Sequence, residues 1–202
     1  MLSRVADCAY WMSRYLERAE HTARLGDVCL GLTLDRSSDT VRRLMSTVGT
    51  PPKGYGVPLD PKDERNPEVR LNRTIEACVA AARENARQVR EQISTEMWEQ
   101  LNRLYLNVSR SRTARGSVFY GHIKEASHLF QGVTDSTMMH TEGWHYIQIG
   151  RSIERASATA TPYPFGGVPT VLINRRTVSD DRSSVRPRHT SPSRAVCSAR
   201  SR

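Results

Sequence analysis

Through residues 2–35, apolar side chains recur at the period of an α-helix, and no alternating strand pattern competes with that period anywhere in residues 1–161. The chain is therefore read as all-α. At about 100° per residue, Val5, Cys8, Ala9, Met12, Leu16, Ala19, Ala23 and Leu30 fall within an arc of about 100°, the width of a core-facing stripe. Ser3 stands where an N-cap is wanted. A short helix is expected at 39–48, capped by Ser38 and stopped by Gly49, and then Pro51, Pro52, Gly54, Gly56, Pro58, Pro61 and Pro67 mark an exposed loop. From Glu68 the period returns. Ile75, Val79, Ala82, Ala86, Val89 and Ile93 trace the a/d seam of a bundle helix, in which the small Ala82 and Ala86 allow close approach. The seam continues after a stutter through Met97, Leu101, Leu104 and Val108, with Ser94 and Glu96 offering helix-start chemistry where the register slips. After a basic linker at 110–116, Ser117 is expected to cap a helix that runs to about Phe130 and ends at Gly132. A last helix opens near Thr141 and Glu142 and runs toward Ala160. The expectation is a helical bundle of about five helices.

A twelve-residue segment occurs twice. Met12–Ala23 and Ile149–Ala160 share Arg14/Arg151, Glu17/Glu154, Arg18/Arg155, Ala19/Ala156, Thr22/Thr159 and Ala23/Ala160 at an offset of 137. The second copy repeats the apolar stripe as well, with Tyr146, Ile149, Ile153, Ala156 and Ala160 at the angles of Ala9, Met12, Leu16, Ala19 and Ala23. Two helices with equivalent cores and equivalent charged faces are expected to sit pseudo-symmetrically in one bundle.

The formal charge of +9 is uneven. Residues 162–202 hold eight Arg against two Asp, with five Pro, seven Ser and no sustained apolar period, whereas residues 1–161 are nearly neutral. The first part reads as one helical domain and the second as a disordered tail foreign to it. The basic balance gives no case for specific nucleic-acid recognition, since an Arg-rich tail binds phosphate without reading sequence. No run of about 18 apolar residues is present, and Arg4, Asp7 and Arg14 interrupt the N-terminus, so no spanning helix or signal peptide is read and a cytoplasmic location is expected. Cys8, Cys29 and Cys78 lack paired spacing and read as small buried apolar residues.

Three blocks carry a family resemblance: MLSRVADCAYWMSRYLERAEHTAR at the start, AARENARQVREQISTEMWEQLN at 81–102 and MMHTEGWHYIQIGRSIERA at 138–156. In this order they resemble the bacterial alpha-E domain family, an all-helical family of uncertain biochemical role. The resemblance implies partners, namely a circularly permuted ATP-grasp protein and transglutaminase-like proteins, and hence peptide or amide-bond metabolism. The chain itself carries no Gly-rich phosphate loop of the ligase kind and no cofactor signature. Self-association is left open. Family members continue the last repeat helix with further helical sequence, whereas here Pro162 and an Arg/Ser/Pro-rich stretch follow. With 27 Arg to 3 Lys pointing to a GC-rich gene, residues from about 162 onward are expected to come from a shifted reading frame. A one-base correction of the gene that restores no family-like helix removes this idea.

Two kinds of site are weighed. Arg14, Glu17, Arg18, His21 and Arg24 lie within an arc of about 120° opposite the apolar stripe, and Arg151, Glu154 and Arg155 repeat them. The favoured account is a solvated face laced by i,i+3 and i,i+4 ion pairs. The sharper account is an anion or partner site in which guanidinium forks grip a carboxylate or phosphate. Arg83 and Arg87, with Arg90, line another edge beside Glu84 and Glu91, read mainly as ion-pair lacing. Glu125–His128 and Glu142–His145 have the E-x-x-H spacing of di-iron bundles, with Glu17, Glu20, Glu84 or Glu91 as further nominees. Helix-dipole preference for an acid in the first turn explains Glu142 more simply, so no metal is assigned. Trp11, Trp98 and Trp144 are read as packing or helix-end anchors. The resulting expectation is a noncatalytic helical partner or scaffold of an ATP-grasp system. Its rival is a catalytic subunit, either a carboxylate-bridged metal enzyme or a helper that completes the ligase site.

Overall fold

The structure, a computed structural model, describes residues 2–34, 52, 54–55, 66–110 and 116–160. The described residues form five α-helices and no strand. They are α1 (Ser3–Leu34), α2 (Pro67–Gln88), α3 (Thr95–Arg110), α4 (Ser117–Thr137) and α5 (Glu142–Ala160), with a 3-10 turn at Arg90–Gln92. The short helix expected at 39–48 and the tail from 162 lie outside the described residues.

Local chemistry accounts for most boundaries. The Asn66 side chain accepts from the backbone N–H of Glu68 at 3.0 Å and of Val69 at 3.4 Å, while Pro67 and Glu68 supply the preset φ and the first-turn acid that start α2. At the expected stutter the helix breaks instead. Ile93 turns extended (φ −111°, ψ 158°), and Ser94 Oγ accepts from Met97 N at 3.1 Å to begin α3. The slipped register is thus a chain reversal between two antiparallel helices. Helix α4 starts behind Gly116, whose φ of +92° suits glycine, with no side-chain cap bond from Ser117. It also runs past Gly132 to Thr137, contrary to expectation. An internal glycine costs only about 1 kcal/mol, and Phe130 and Thr134, both buried, carry the inward face across it.

Contacts at the helix ends fix the directions. Cys8 meets Gln88 while Leu25 and Cys29 pack on Leu71, so α1 and α2 are antiparallel. Asp27 pairs with Lys124, Glu20 with His128 and Glu17 with Gln131, so α1 and α4 are antiparallel as well. Arg83 on α2 bonds Asn102 on α3, and Ser94 and Thr137 join α3 to α4. Helices α1–α4 therefore make an up-down bundle. Its core is one cluster in which Met12, Leu16 and Ala19 of α1 meet Ile75, Val79 and Ala82 of α2, Met97 and Leu101 of α3, and Phe119, Tyr120 and Ile123 of α4. Full burial of each of the larger side chains is worth about 1.5–3 kcal/mol. Cys8, Cys29 and Cys78 are buried, and burial pushes the Cys78 thiol up to about 12.

Helix α5 adds to this bundle from outside, against α1. It buries Gly143, Ile147, Gly150 and Glu154. The expectation of equivalent cores in the two repeats is corrected here: Tyr146, Ile149 and Ile153 are 39%, 47% and 41% exposed, and Ala156 and Ala160 are exposed too. The charged side of α5 faces α1, which turns its apolar stripe outward.

Candidate functional site

Helices α1 and α5 meet through the face that the repeat conserves between them. Ser13 and Gly150 occupy equivalent positions and touch: a Cβ on Gly150 would lie 2.3 Å from Ser13 Oγ and 2.4 Å from the carbonyl oxygen of Tyr10. Only glycine lets the two backbones come this close. The Ser13 hydroxyl lies 2.8 Å from the carbonyl oxygen of Ile147 and 3.1 Å from that of Tyr10, which are again equivalent residues. The contacts advance together along both helices, so the two run parallel and in register about a local two-fold exchange.

The Glu-Arg dipeptides lie on either side of this contact and cross over. Glu154 accepts from Arg14 Nε at 2.8 Å and from the Arg18 fork, Nε at 2.6 Å to one oxygen and Nη2 at 3.1 Å to the other. In the mirror arrangement, Glu17 accepts from Arg155 Nε and pairs with Arg151 Nε at 3.7 Å. Both carboxylates are buried, Glu17 at 4% and Glu154 at 7% exposure. For Arg14, Glu17 and Arg18 the reading of this face as solvated and laced within one helix is therefore corrected, whereas Arg24, half exposed, pairs with Glu20 within α1 as that reading has it. A helix pair that crosses at Ser13 and Gly150 brings the opposite charges of two helices together where a single helix presents them outward.

Helix α4 breaks the symmetry. Gln131 receives Arg151 Nη2 at 2.7 Å and donates to Glu17 at 3.2 Å, drawing one guanidinium away from Glu17. The two carboxylates also differ in their balance of burial against charge. Burial raises the Glu17 carboxyl above its ordinary range, and the Arg155 hydrogen bond and charge only partly oppose it. Burial acts the same way on Glu154, but the hydrogen bonds and charges of Arg18 and Arg14 together outweigh it and hold that carboxyl low. His21 lies close enough to feel both Glu20 and Glu154, and burial holds its imidazole below its ordinary value. Aromatic rings hold the arginines in place: Arg14 lies over Tyr10 and Trp11, and Arg18 over Tyr15.

Sequence reasoning gave Glu20 no role beyond a metal nominee. It is 2% exposed, accepts from Arg24 Nε at 2.6 Å and sits 3.2 Å from His128 Nε2. Ser13, Gly150 and Gln131 were also missed. The first two had a signal in the sequence, a pair of small residues at matched positions of the repeat, whereas Gln131 had none.

The remaining candidates lie apart. Arg83 packs over Trp98 and Tyr105 and bonds Asn102 across α2 and α3, and Arg90 lies over Trp98. Arg87 pairs with Glu84 within α2. None of the three arginines has its partners at the α1–α5 contact. Trp144 stacks on His140 and bonds Asp135 at the start of α5. The E-x-x-H residues are divided between two helices: Glu125 is 80% exposed and pairs with His122, His128 faces Glu20, and Glu142 and His145 are exposed on α5. Among the described residues no group of three or more His, Cys, Asp or Glu could hold a metal ion. None of the described helices is long and apolar enough to cross a membrane.

Comparison with curated proteins finds no match, and neither does comparison with solved structures. Residues 1–163 match the model of the Alpha-E family, described as a predicted alpha-helical domain with a conserved ER motif. Glu-Arg occurs at 17–18, 64–65 and 154–155, and the first and last of these cross between α1 and α5. The chain belongs to the Alpha-E family.

Proposed function

We propose that this chain is a noncatalytic helical scaffold, a docking partner in a bacterial, cytoplasmic ATP-grasp system that forms or modifies peptide or amide bonds. A circularly permuted ATP-grasp protein and a transglutaminase-like protein are its partners in this reading. The observation that carries it is the orientation of α5. The Glu-Arg pairs lock the charged side of α5 onto α1, and the apolar stripe of Tyr146, Ile149 and Ile153 is thereby held outward on a rigid helix. Exposed apolar side chains grouped on one rigid helix suit protein contact. The forks of Arg14 and Arg18 grip a carboxylate of the chain's own, which supports an architectural use of the motif over capture of a free anion.

The test is reconstitution. The chain is expected to copurify with the ATP-grasp partner, and ATP-dependent amide formation is expected to require the partner's active site while responding to the presence of this chain. Stable absence of association, with ligation running at an equal rate with and without the chain, sinks the scaffold reading. Amide formation by this chain alone replaces it with the catalytic rival.

A further inference from the structure

We infer that the cavity between α1, α4 and α5 is a binding site for one water molecule, which bridges Arg151 Nε to the Glu17 carboxylate. The site stands independently of the scaffold reading.

A donor without an acceptor carries the argument. Arg151 Nε is buried and makes no hydrogen bond among the described residues. The carboxylate oxygen it faces, Glu17 Oε2, lies 3.7 Å away, beyond the roughly 2.7–3.2 Å of an N–H···O bond. The same guanidinium is held at Nη2 by Gln131 Oε1 at 2.7 Å, and Gln131 Nε2 lies 3.2 Å from Glu17 Oε2. This triangle keeps Arg151 where it attracts Glu17 without bonding it through Nε. An unmet buried donor on a charged group is costly, and a polar contact just beyond bonding distance is where a bridging water belongs.

The cavity has the size and the chemistry for it. Glu17, Gln131, Arg151 and Ser13 line its polar side, Phe130 and Ile147 stand on its apolar side, and the centre of a water molecule has about 20 Å³ to move in. One water needs about 10–15 Å³ by that measure, so one fits and two do not. A water there accepts from Arg151 Nε and donates to Glu17, whose carboxylate can accept about four bonds and takes one from Gln131 and one from Arg155. Ser13 gives its hydroxyl proton to a backbone carbonyl and keeps lone pairs to offer the second water proton. About three bonds is the usual complement of a buried water. Charged occupants suit the site less, since an anion would face the Glu17 carboxylate and a metal cation the guanidiniums of Arg151 and Arg155.

The equivalent half of the repeat needs no such bridge. Arg14 Nε and Arg18 Nε donate directly to Glu154 at 2.8 Å and 2.6 Å. One Glu-Arg crossing is thus closed directly and the other in part through water, and the difference follows from Gln131, which α4 supplies to the Glu17 side.

Two measurements on the full chain test this. A crystal structure that shows ordered water is expected to place one peak of density within about 3.2 Å of both Arg151 Nε and a Glu17 carboxylate oxygen. With nitrogen-15 in the arginines, the Arg151 Nε–H is expected to give a water cross-peak whose NOE and ROE signs are those of a held water, several-fold stronger than that of Arg14 Nε–H, which bonds Glu154 directly. Arg151→Lys should erase this signal and so assign it; if that variant does not fold, sequential assignment of the native chain serves. No cross-peak at Arg151, or equal ones at the two arginines, overturns the inference. A crystal structure in which Arg151 Nε bonds Glu17 directly, or in which the cavity is closed or without density, does so too. Density of an ion or a larger molecule at the site also overturns it, because the occupant is then not water.

Discussion

Removing the Glu154 carboxylate tests the α1–α5 contact most directly. Glu154→Ala leaves Arg14 and Arg18, whose side chains are 17% and 20% exposed, facing each other without the anion that both grip. Breaking a buried ion pair by removing one partner costs about 3–5 kcal/mol. Both guanidiniums keep some access to water, which places the expected cost near the lower end, about 3 kcal/mol. That is a large share of the roughly 5–15 kcal/mol that holds a typical domain together. For a chain of this size it lowers Tm by about 6–12 °C. Glu17→Ala is expected to cost less, about 1 kcal/mol, because its closest partner Arg155 is 49% exposed and can return to water, and because burial of Glu17 is only partly offset. The assay is urea unfolding followed by circular dichroism and tryptophan fluorescence, read as a shift in midpoint at constant slope. A triple replacement, Arg14→Met, Arg18→Met and Glu154→Leu, is expected to recover most of the lost stability, since an apolar set of similar volume carries no desolvation cost. If Glu154→Ala costs under about 1 kcal/mol, or no more than Glu17→Ala, the contact behaves as a surface pair and the reasoning fails.

The two carboxylates should also differ in pH dependence. Glu154, held low in the fold, contributes stability that is present above its unfolded value and is lost as pH falls through its folded one; the advantage of the native chain over Glu154→Gln should therefore shrink on acidification. Glu17 is raised, so its contribution is present below its unfolded value and is lost as pH rises through its folded one, and comparison with Glu17→Gln across the same titration should show the opposite slope. Parallel slopes for the two Gln variants would falsify the assignment. Gly150→Ala is expected to destabilise by about 1–3 kcal/mol, and Ser13→Ala should not rescue it, because the carbonyl oxygen of Tyr10 remains 2.4 Å from the new Cβ; full rescue, read from the unfolding midpoint, contradicts the backbone contact. Gly26→Ala places a Cβ 2.4 Å from Cζ of the buried Tyr120, and a loss of about 1–3 kcal/mol is expected in the same assay; an unchanged midpoint means that the ring moves freely.

The all-α class and the α1 stripe were legible in the sequence, because helical periodicity depends only on local spacing, whereas the expected equivalence of the two cores failed because α5 turns its stripe outward. The break between Gln88 and Thr95 was legible only as a slipped register, since Ser94 offers a helix start but cannot say that the chain reverses there. Gly132 misled for a related reason: its local cost is small beside the burial of Phe130 and Thr134 that carries α4 onward.

The identities of Glu17, Arg18, Glu154 and Arg155, and their recurrence, were set by the sequence. Which charges meet was decided by the tertiary structure. Periodicity assigns a residue to a face of a helix but does not say what lies opposite, and α5 has two faces capable of packing, one apolar and one charged. The apolar surface of α1 is already covered by α2 and the rest of the four-helix core. The side of α1 left for α5 is lined by Arg14, Glu17 and Arg18, and close approach there is permitted by Ser13 and Gly150. Helix α5 therefore turns its charges inward, where each carboxylate finds guanidinium donors from the other repeat, and its Tyr146, Ile149 and Ile153 outward.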